Sequence, residues 1–262
     1  GITRVKEALD DRRFTAYSDP LSPRGDNPIA RFAERDIPFP RELIGYDGAS
    51  LGSCSKLEYE SFTARVNDLP KAYLNLTAAH ICPIDYLSHK ILTSLLKAGM
   101  IETLTLRACA CYMDSSFWEE IRGLVSDLTA FMLTEADALR LFRGRSVDLW
   151  EIAEALANYG PEFVLVHLTD GSVRLFDRMG QKRWVIPAYP TNIIDPTGAL
   201  DAFDGAFLLN YRKKFDAVDA ALCGNVTAAV CMEGFGPYYV LDTLPELMNA
   251  RLDVLRGRVS SA

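Results

Sequence analysis

The chain has 262 residues, enough for one large domain with a substantial buried core. Hydrophobic residues make up 49% of it and charged residues 24%, a globular composition. A net charge of −7 argues against a nucleic-acid partner, because no basic surplus exists to neutralise phosphates, and no apolar run approaches the roughly 20 residues of a membrane-spanning helix.

The opening residues, Gly1 to Glu7, carry no apolar signal-peptide core. Six cysteines are scattered through apolar contexts, which reads as reduced thiols in a cytoplasmic protein. Cys109-Ala110-Cys111 lacks the second pair or spaced histidines that zinc needs, and His80, His89 and His167 show no ligand spacing.

Residues 1–70 are irregular. Residues 12–17 alternate as a short strand, and residues 18–28 form a turn-rich loop. A loop of that length is either functional or mobile. Residues 58–66 suggest a short helix.

From residue 71 strands and helices alternate. Strands are expected over 72–76, 101–106, 128–133, 163–168 and 184–187, with a short apolar segment at 79–82. Helical stripes run over 84–95, 117–125, 134–142 and 147–159, the first and last closed by Gly99 and Gly160. Asp170-Gly171 signals a hairpin into Val173 to Phe176. Helices follow over 200–211, from a cap at Asp216 through Val230, and from Pro245 to Leu255. This pattern gives an α/β fold, a mostly parallel sheet flanked by helices on both faces, in a single domain over 1–262 with its core at 71–262. Ligands of such sheets bind beyond the C-terminal strand ends.

The stretch from Asp195 to Phe207 organises the rest. Pro196 and Gly198 mark a tight loop that feeds directly into a helix. Such a junction presents unpaired backbone N–H groups and the positive end of a helix dipole, a ready anion site. Asp201 falls in the first helical turn. An anion cradle beside a carboxylate is what phosphoryl transfer to a hydroxyl needs. The plainer reading of Asp201 is a favourable acid at a helix start.

Asp195, Gly198, Ala199, Asp201, Phe203 and Phe207 keep the pattern D-T-x-G-A-G-D-x-F-x-x-G-F, with Thr197 one position beyond its threonine. In this the chain resembles the ribokinase-like (PfkB) family of carbohydrate and nucleoside kinases. The resemblance covers roughly 70–256, with weaker likeness around residues 13–15. It implies a ribokinase-like fold and ATP-dependent phosphoryl transfer to a hydroxyl of a sugar or nucleoside. Asp201 would be the general base, and the amides of Gly198, Ala199 and Leu200 the anion hole. Thr197, Thr169, Gly171 and Asn225 would lie along the nucleotide. Asp137 and Asp195 would organise Mg²⁺ through water.

Several positions depart from the family. Leu200 replaces a glycine, which costs space and access to positive φ rather than a donor. Thr134 and Asp137 stand for the family's N-x-x-E, and equally suit a capping box. Thr169 and Ser172 replace glycines at what is otherwise a plain hairpin. Arg107 stands in the family's T-L-D-P-x-P segment, where it would meet a phosphate or be solvated. Asn225 lies in a run of small residues that would pack a helix or border the adenine. The family's opening strand, G-G-x-x-x-N segment and strand lid are not found, so that region is truncated or diverged, and Tyr17, Phe14 and the 18–28 loop are expected near the acceptor. The alternative is a catalytically impaired kinase-like protein acting as a binding or assembly module. A homodimer is left open.

Overall fold

A computed structural model describes residues 14–21, 23–46, 54–59, 63, 65–236 and 238–262. The segment begins with a small antiparallel hairpin, β1 (Ala16–Tyr17) and β2 (Pro23–Arg24), followed by α1 (Pro28–Ala33). The first two residues of the strand expected over 12–17 lie outside the described residues, as do residues 60–62 and 64 of the helix expected over 58–66. What is described there is a 3-10 turn at Val66–Asp68.

A second 3-10 turn, Lys71–Asn75, stands where a strand was expected. Its alternating residues have nothing to alternate between: Tyr73 and Leu76 are exposed on this surface segment. The turn is held from behind. Met100 N donates to the Leu74 carbonyl at 3.1 Å, and a Cβ on Gly99 would meet that carbonyl oxygen at 2.6 Å. Glycine is therefore required there for close approach.

The main unit then runs β3 (Ala78–Ile81), α2 (Tyr86–Lys97), β4 (Thr103–Arg107), α3 (Trp118–Val125), β5 (Ala130–Thr134), α4 (Glu135–Leu141), α5 (Leu149–Ala157) and β6 (Phe163–His167). It continues with β7 (Val173–Asp177), β8 (Lys182–Ile186), α6 (Ala199–Lys214), α7 (Ala217–Met232), α8 (Pro245–Arg256) and β9 (Ser260–Ser261). Helix starts follow the side-chain chemistry: Asp85, Thr134, Asp148 and Asp216 each accept a first-turn amide.

The strands form one sheet in the order β3-β4-β5-β6-β7-β8-β9. The pairings β3 to β6 are parallel, and those from β6 to β9 are antiparallel. The Asp170-Gly171 hairpin turns the chain back between β6 and β7, with Gly171 at φ +81°. The sheet is the mostly parallel one expected, since β8 again runs with β3 to β6.

Apolar side chains leave both faces. Phe131, Leu133, Val164 and Val166 point towards α2, α3, α4 and α5. Met132, Leu165, Leu175 and Ile186 point towards α6, α7 and α8. Strand β4 differs. Leu104 and Leu106 join the first core, but Thr103, Thr105 and Arg107 are buried on the α6 face. A polar alternation that would normally face water is here covered by a helix.

One expectation about cysteine fails. Cys54 and Cys111 are joined as a disulfide with Cα atoms 5.2 Å apart, while Cys82, Cys109, Cys223 and Cys231 form no disulfide among the described residues. The pairing links two segments 57 residues apart, which sequence spacing does not reveal. Among the described residues no helix is long and apolar enough to cross a membrane.

Candidate active site

Helix α6 begins at the end of the loop that leaves β8. Asp195 Oδ1 accepts from Thr197 N at 2.9 Å, and Ala199 N donates to the Pro196 carbonyl at 3.2 Å. Gly198 closes the turn at φ +80° and caps the helix. The positive φ that this family-like turn requires thus falls on Gly198. Leu200 has ordinary right-handed helical backbone, so its replacement of a glycine leaves no strain.

Of the three amides expected to face an anion, that of Ala199 is engaged by Pro196. Those of Gly198 and Leu200 have no hydrogen-bond partner among the described residues. Two cavities meet at this helix start. One, of about 440 Å³, is largely apolar and is lined by Ala199, Leu200 and Phe203 of α6, Asn225, Ala228 and Ala229 of α7, and Thr169 and Gly171 of the hairpin. The other, of about 550 Å³, is the more polar of the two and is lined by Gly198, Leu200, Asp201, Arg107, Asp137 and Arg140, with Tyr17 and Arg24 of the β1–β2 hairpin. Leu200 belongs to both walls, as do Pro20 and Leu21.

The structure therefore brings Thr169, Gly171 and Asn225 together in one wall, and Asp201 and Asp137 together in the other. Thr197 and Asp195 line neither. Thr197 is exposed, with its hydroxyl 3.4 Å from Tyr17 Oη. Pro20, Leu21, Pro23 and Arg24 of the 18–28 loop line the second cavity, whereas Phe14 does not; it packs on Phe32 with ring centroids 5.4 Å apart. Gly224 has a packing role, since a Cβ there would meet the Phe203 ring at 2.6 Å. Its neighbour Asn225 borders the apolar cavity and donates to the Pro187 carbonyl at 2.8 Å.

Asp137 is engaged on both oxygens. Thr134 Oγ1 donates to Oδ2 at 2.7 Å, and Arg140 Nη2 to Oδ1 at 2.6 Å. With Asp137 N donating back to Thr134 Oγ1, the full capping box is present. No cluster of three ligating side chains exists among the described residues.

Beneath Asp201, one helical turn on, lies a buried ionic cluster. Asp204 is fully buried and receives Arg107 Nε on Oδ2 and Arg107 Nη2 on Oδ1, both at 2.5 Å. His80 Nε2 sits 3.3 Å from Oδ2, an ion-pair contact rather than an aligned hydrogen bond, while its Nδ1 lies 2.8 Å from Thr105 Oγ1. Arg107 Nη2 also lies 3.1 Å from His167 Nε2. Arg107 Nη1 is buried without a partner among the described residues.

These contacts set the charges. Burial alone would push Asp204 up, but Arg107 and His80 outweigh it and hold the carboxyl at about 2. Burial would lower His80, yet Asp204 and then Cys82 raise it to about 9. His167, buried and beside Arg107, is pushed well below the usual histidine value and is the neutral acceptor. Asp201 is raised above the ordinary carboxylate range, first by desolvation and then by the Asp204 charge.

Asp204 falls at an open position of the pattern D-T-x-G-A-G-D-x-F-x-x-G-F, and His80 and His167 show no ligand spacing, so the sequence assigns none of them a role. The available signal was the polar alternation Thr103, Thr105, Arg107 in an otherwise buried strand. Arg24 and Arg140 carried no signal of their own.

The signature helix thus starts between two cavities, the second the more polar. The pfkB family carbohydrate kinase model matches residues 71–244, and the chain belongs to that family. It is 31% identical over 117 residues to an uncharacterized sugar kinase of Archaeoglobus fulgidus, covering 45% of each chain. It is 26% identical over 174 residues to a cytidine kinase of Thermococcus kodakarensis, covering 66% of this chain and 61% of that one. The chain thus spans about half the length of these relatives. Among solved structures, aminoimidazole riboside kinase from Salmonella enterica, complexed with aminoimidazole riboside and an ATP analog, superposes with TM-score 0.54 at 14% identity, covering 71% of this chain and 65% of that one. A pyrophosphate-dependent kinase in the ribokinase family, in a sulfate complex, gives TM-score 0.55 at 20% identity, covering 69% and 65%. At these identities the solved structures establish the ribokinase-like fold.

Proposed function

We propose that the chain carries the transfer site of a kinase that moves a phosphoryl group from ATP to a hydroxyl of a small sugar-like or nucleoside acceptor. The observation that carries this reading is the position of the α6 N-terminus, with Leu200 in both cavity walls and Asp201 in only one. The apolar cavity, bordered by Asn225, Thr169 and Gly171, suits the base and ribose of a nucleotide. The polar cavity suits the acceptor.

In the step, Asp201 takes the proton of the acceptor hydroxyl as its oxygen bonds to the γ-phosphorus and the bond to the bridging oxygen breaks. The Gly198 and Leu200 amides and the helix dipole stabilise charge on the transferring group. A partly desolvated carboxylate is a stronger base than a solvated one, in keeping with the raised Asp201. Mg²⁺ would enter with the donor's phosphates, with Asp137 and Asp195 reaching it only through water, since the described residues hold no cluster of three ligating side chains. A pyrophosphate donor would leave the apolar cavity without an occupant, which favours the nucleotide.

The test is thermal shift with ATP–Mg²⁺, then turnover with a sugar and nucleoside panel beside Asp201→Asn. We expect nucleotide-induced stabilisation in both proteins and a loss of turnover in the variant by about 10²- to 10⁴-fold. Absence of nucleotide stabilisation would favour the binding-module alternative, and turnover that survives Asp201→Asn would remove the base assignment.

A further inference from the structure

Resting on the reading of Asp201 as the acceptor-side base, we infer that the acceptor carries an oxyanion, a carboxylate or a phosphate monoester, held by Arg107, Arg24 and Arg140. Three arginines and two carboxylates line the polar cavity. The carboxylates do not balance the arginines there. Asp137 is already bound to Arg140, and Asp201 is reserved for the acceptor proton.

Arg107 is the stronger observation. It is only 3% exposed, and Nε and Nη2 are occupied by Asp204 and His167, but Nη1 has no partner among the described residues. Leaving a buried charged donor unpaired costs more than the bond it would form, so the site is poised for an acceptor of high charge density. Behind Arg107, His80 shares the same Asp204 carboxylate. One buried anion thus serves two cations, and the cavity's rear wall keeps positive charge.

Arg24 supplies the opposite wall. It is exposed on β2, reaches the same cavity, and forms no ion pair among the described residues. None of the three arginines lines the apolar cavity, which places the oxyanion on the acceptor rather than on the donor's nucleoside end. Arginine's planar fork suits carboxylate and phosphate alike.

The experiment uses the full chain and calorimetric titration without donor. The paired probes are D-gluconate against D-glucose and ribose 5-phosphate against ribose, with inorganic phosphate alone as a further arm. The anionic member of at least one pair should bind about tenfold tighter or more, the value of one charge-assisted hydrogen bond. The two pairs separate carboxylate from phosphate. That advantage should fall in Arg24→Gln, which alters an exposed hairpin residue, and in Arg140→Gln. It should also fall in the double variant Arg107→Met with Asp204→Leu, which leaves no lone buried charge. ATP affinity should stay within about twofold in Arg24→Gln. No discrimination within either pair, from equal binding or from none, overturns the inference, as does loss of ATP affinity in place of anion affinity. Transfer to neutral acceptors alone sinks this inference and leaves the kinase reading standing. Anion selectivity without turnover sinks the kinase reading and leaves the oxyanion site.

Discussion

Arg107 at the end of β4 and Asp204 in the second turn of α6 are 97 residues apart in sequence, yet form a two-pronged pair at 2.5 Å with almost no solvent contact. The pair clamps the signature helix to the sheet directly below Asp201. A buried pair is weak evidence for stability, because desolvation of both ions offsets their attraction. Breaking it is another matter, since the survivor is left charged and unsolvated.

Arg107→Met alone and Asp204→Leu alone should therefore each destabilise the fold by about 3–5 kcal/mol. The double variant should recover part of that loss, the remainder being the His80 contribution that goes with Asp204. Urea unfolding of the four proteins gives the coupling directly. Additive losses would mean that the two side chains do not act as a pair.

His80 makes the same cluster sensitive to pH. Its folded value of about 9 lies above the unfolded value of 6.5. The protonated form is favoured by folding, so this contribution is complete below pH 6.5 and is lost as pH rises through 9. The shift corresponds to about 3 kcal/mol. His89 runs the other way. Burial pushes it to about 4 between the Tyr112 hydroxyl at 2.7 Å and the Cys82 carbonyl at 2.8 Å, so its contribution is present above pH 6.5 and is lost on acidification towards 4. Denaturant midpoints should peak near pH 6.5. The alkaline decline should flatten in His80→Gln while the acid decline persists. An unchanged alkaline slope in that variant would take the effect away from His80.

The periodicity of the chain carried most of the fold. Asp170-Gly171 marked the hairpin, Asp216 capped α7, and Pro245 opened α8 as read. The failure at 72–76 has a local cause, because five alternating residues look the same whether or not a neighbouring strand exists. Strand β9 was missed for the opposite reason: two serines pair with β8 through backbone alone and leave no hydrophobic signature. In the site, residues on one loop and helix were legible together. The Arg107–Asp204–His80–His167 cluster was not, since its members come from β3, β4, β6 and α6 and meet only when the sheet forms. Arg24 reaches the cavity from a hairpin of two-residue strands, too short for a pattern.

Gly198 and Leu200 make the last prediction, because the family-like pattern has glycine at both and the structure assigns them different physics. Gly198 sits at φ +80° with nothing within 4 Å of where a Cβ would lie. Gly198→Ala therefore meets no steric obstacle and should cost only the left-handed backbone, about 1–2 kcal/mol. Leu200 is inside the right-handed first turn. Leu200→Gly should also destabilise, by about 1 kcal/mol, since glycine loses more backbone freedom in a helix than leucine does. If the turn had needed positive φ at 200, the leucine would be strained and glycine would stabilise the protein. Urea midpoints of the two variants decide the matter. A gain on Leu200→Gly would move the strained position to 200. A loss leaves the leucine as a partition between the two cavities, with its side chain, rather than its backbone, shaping how closely donor and acceptor approach.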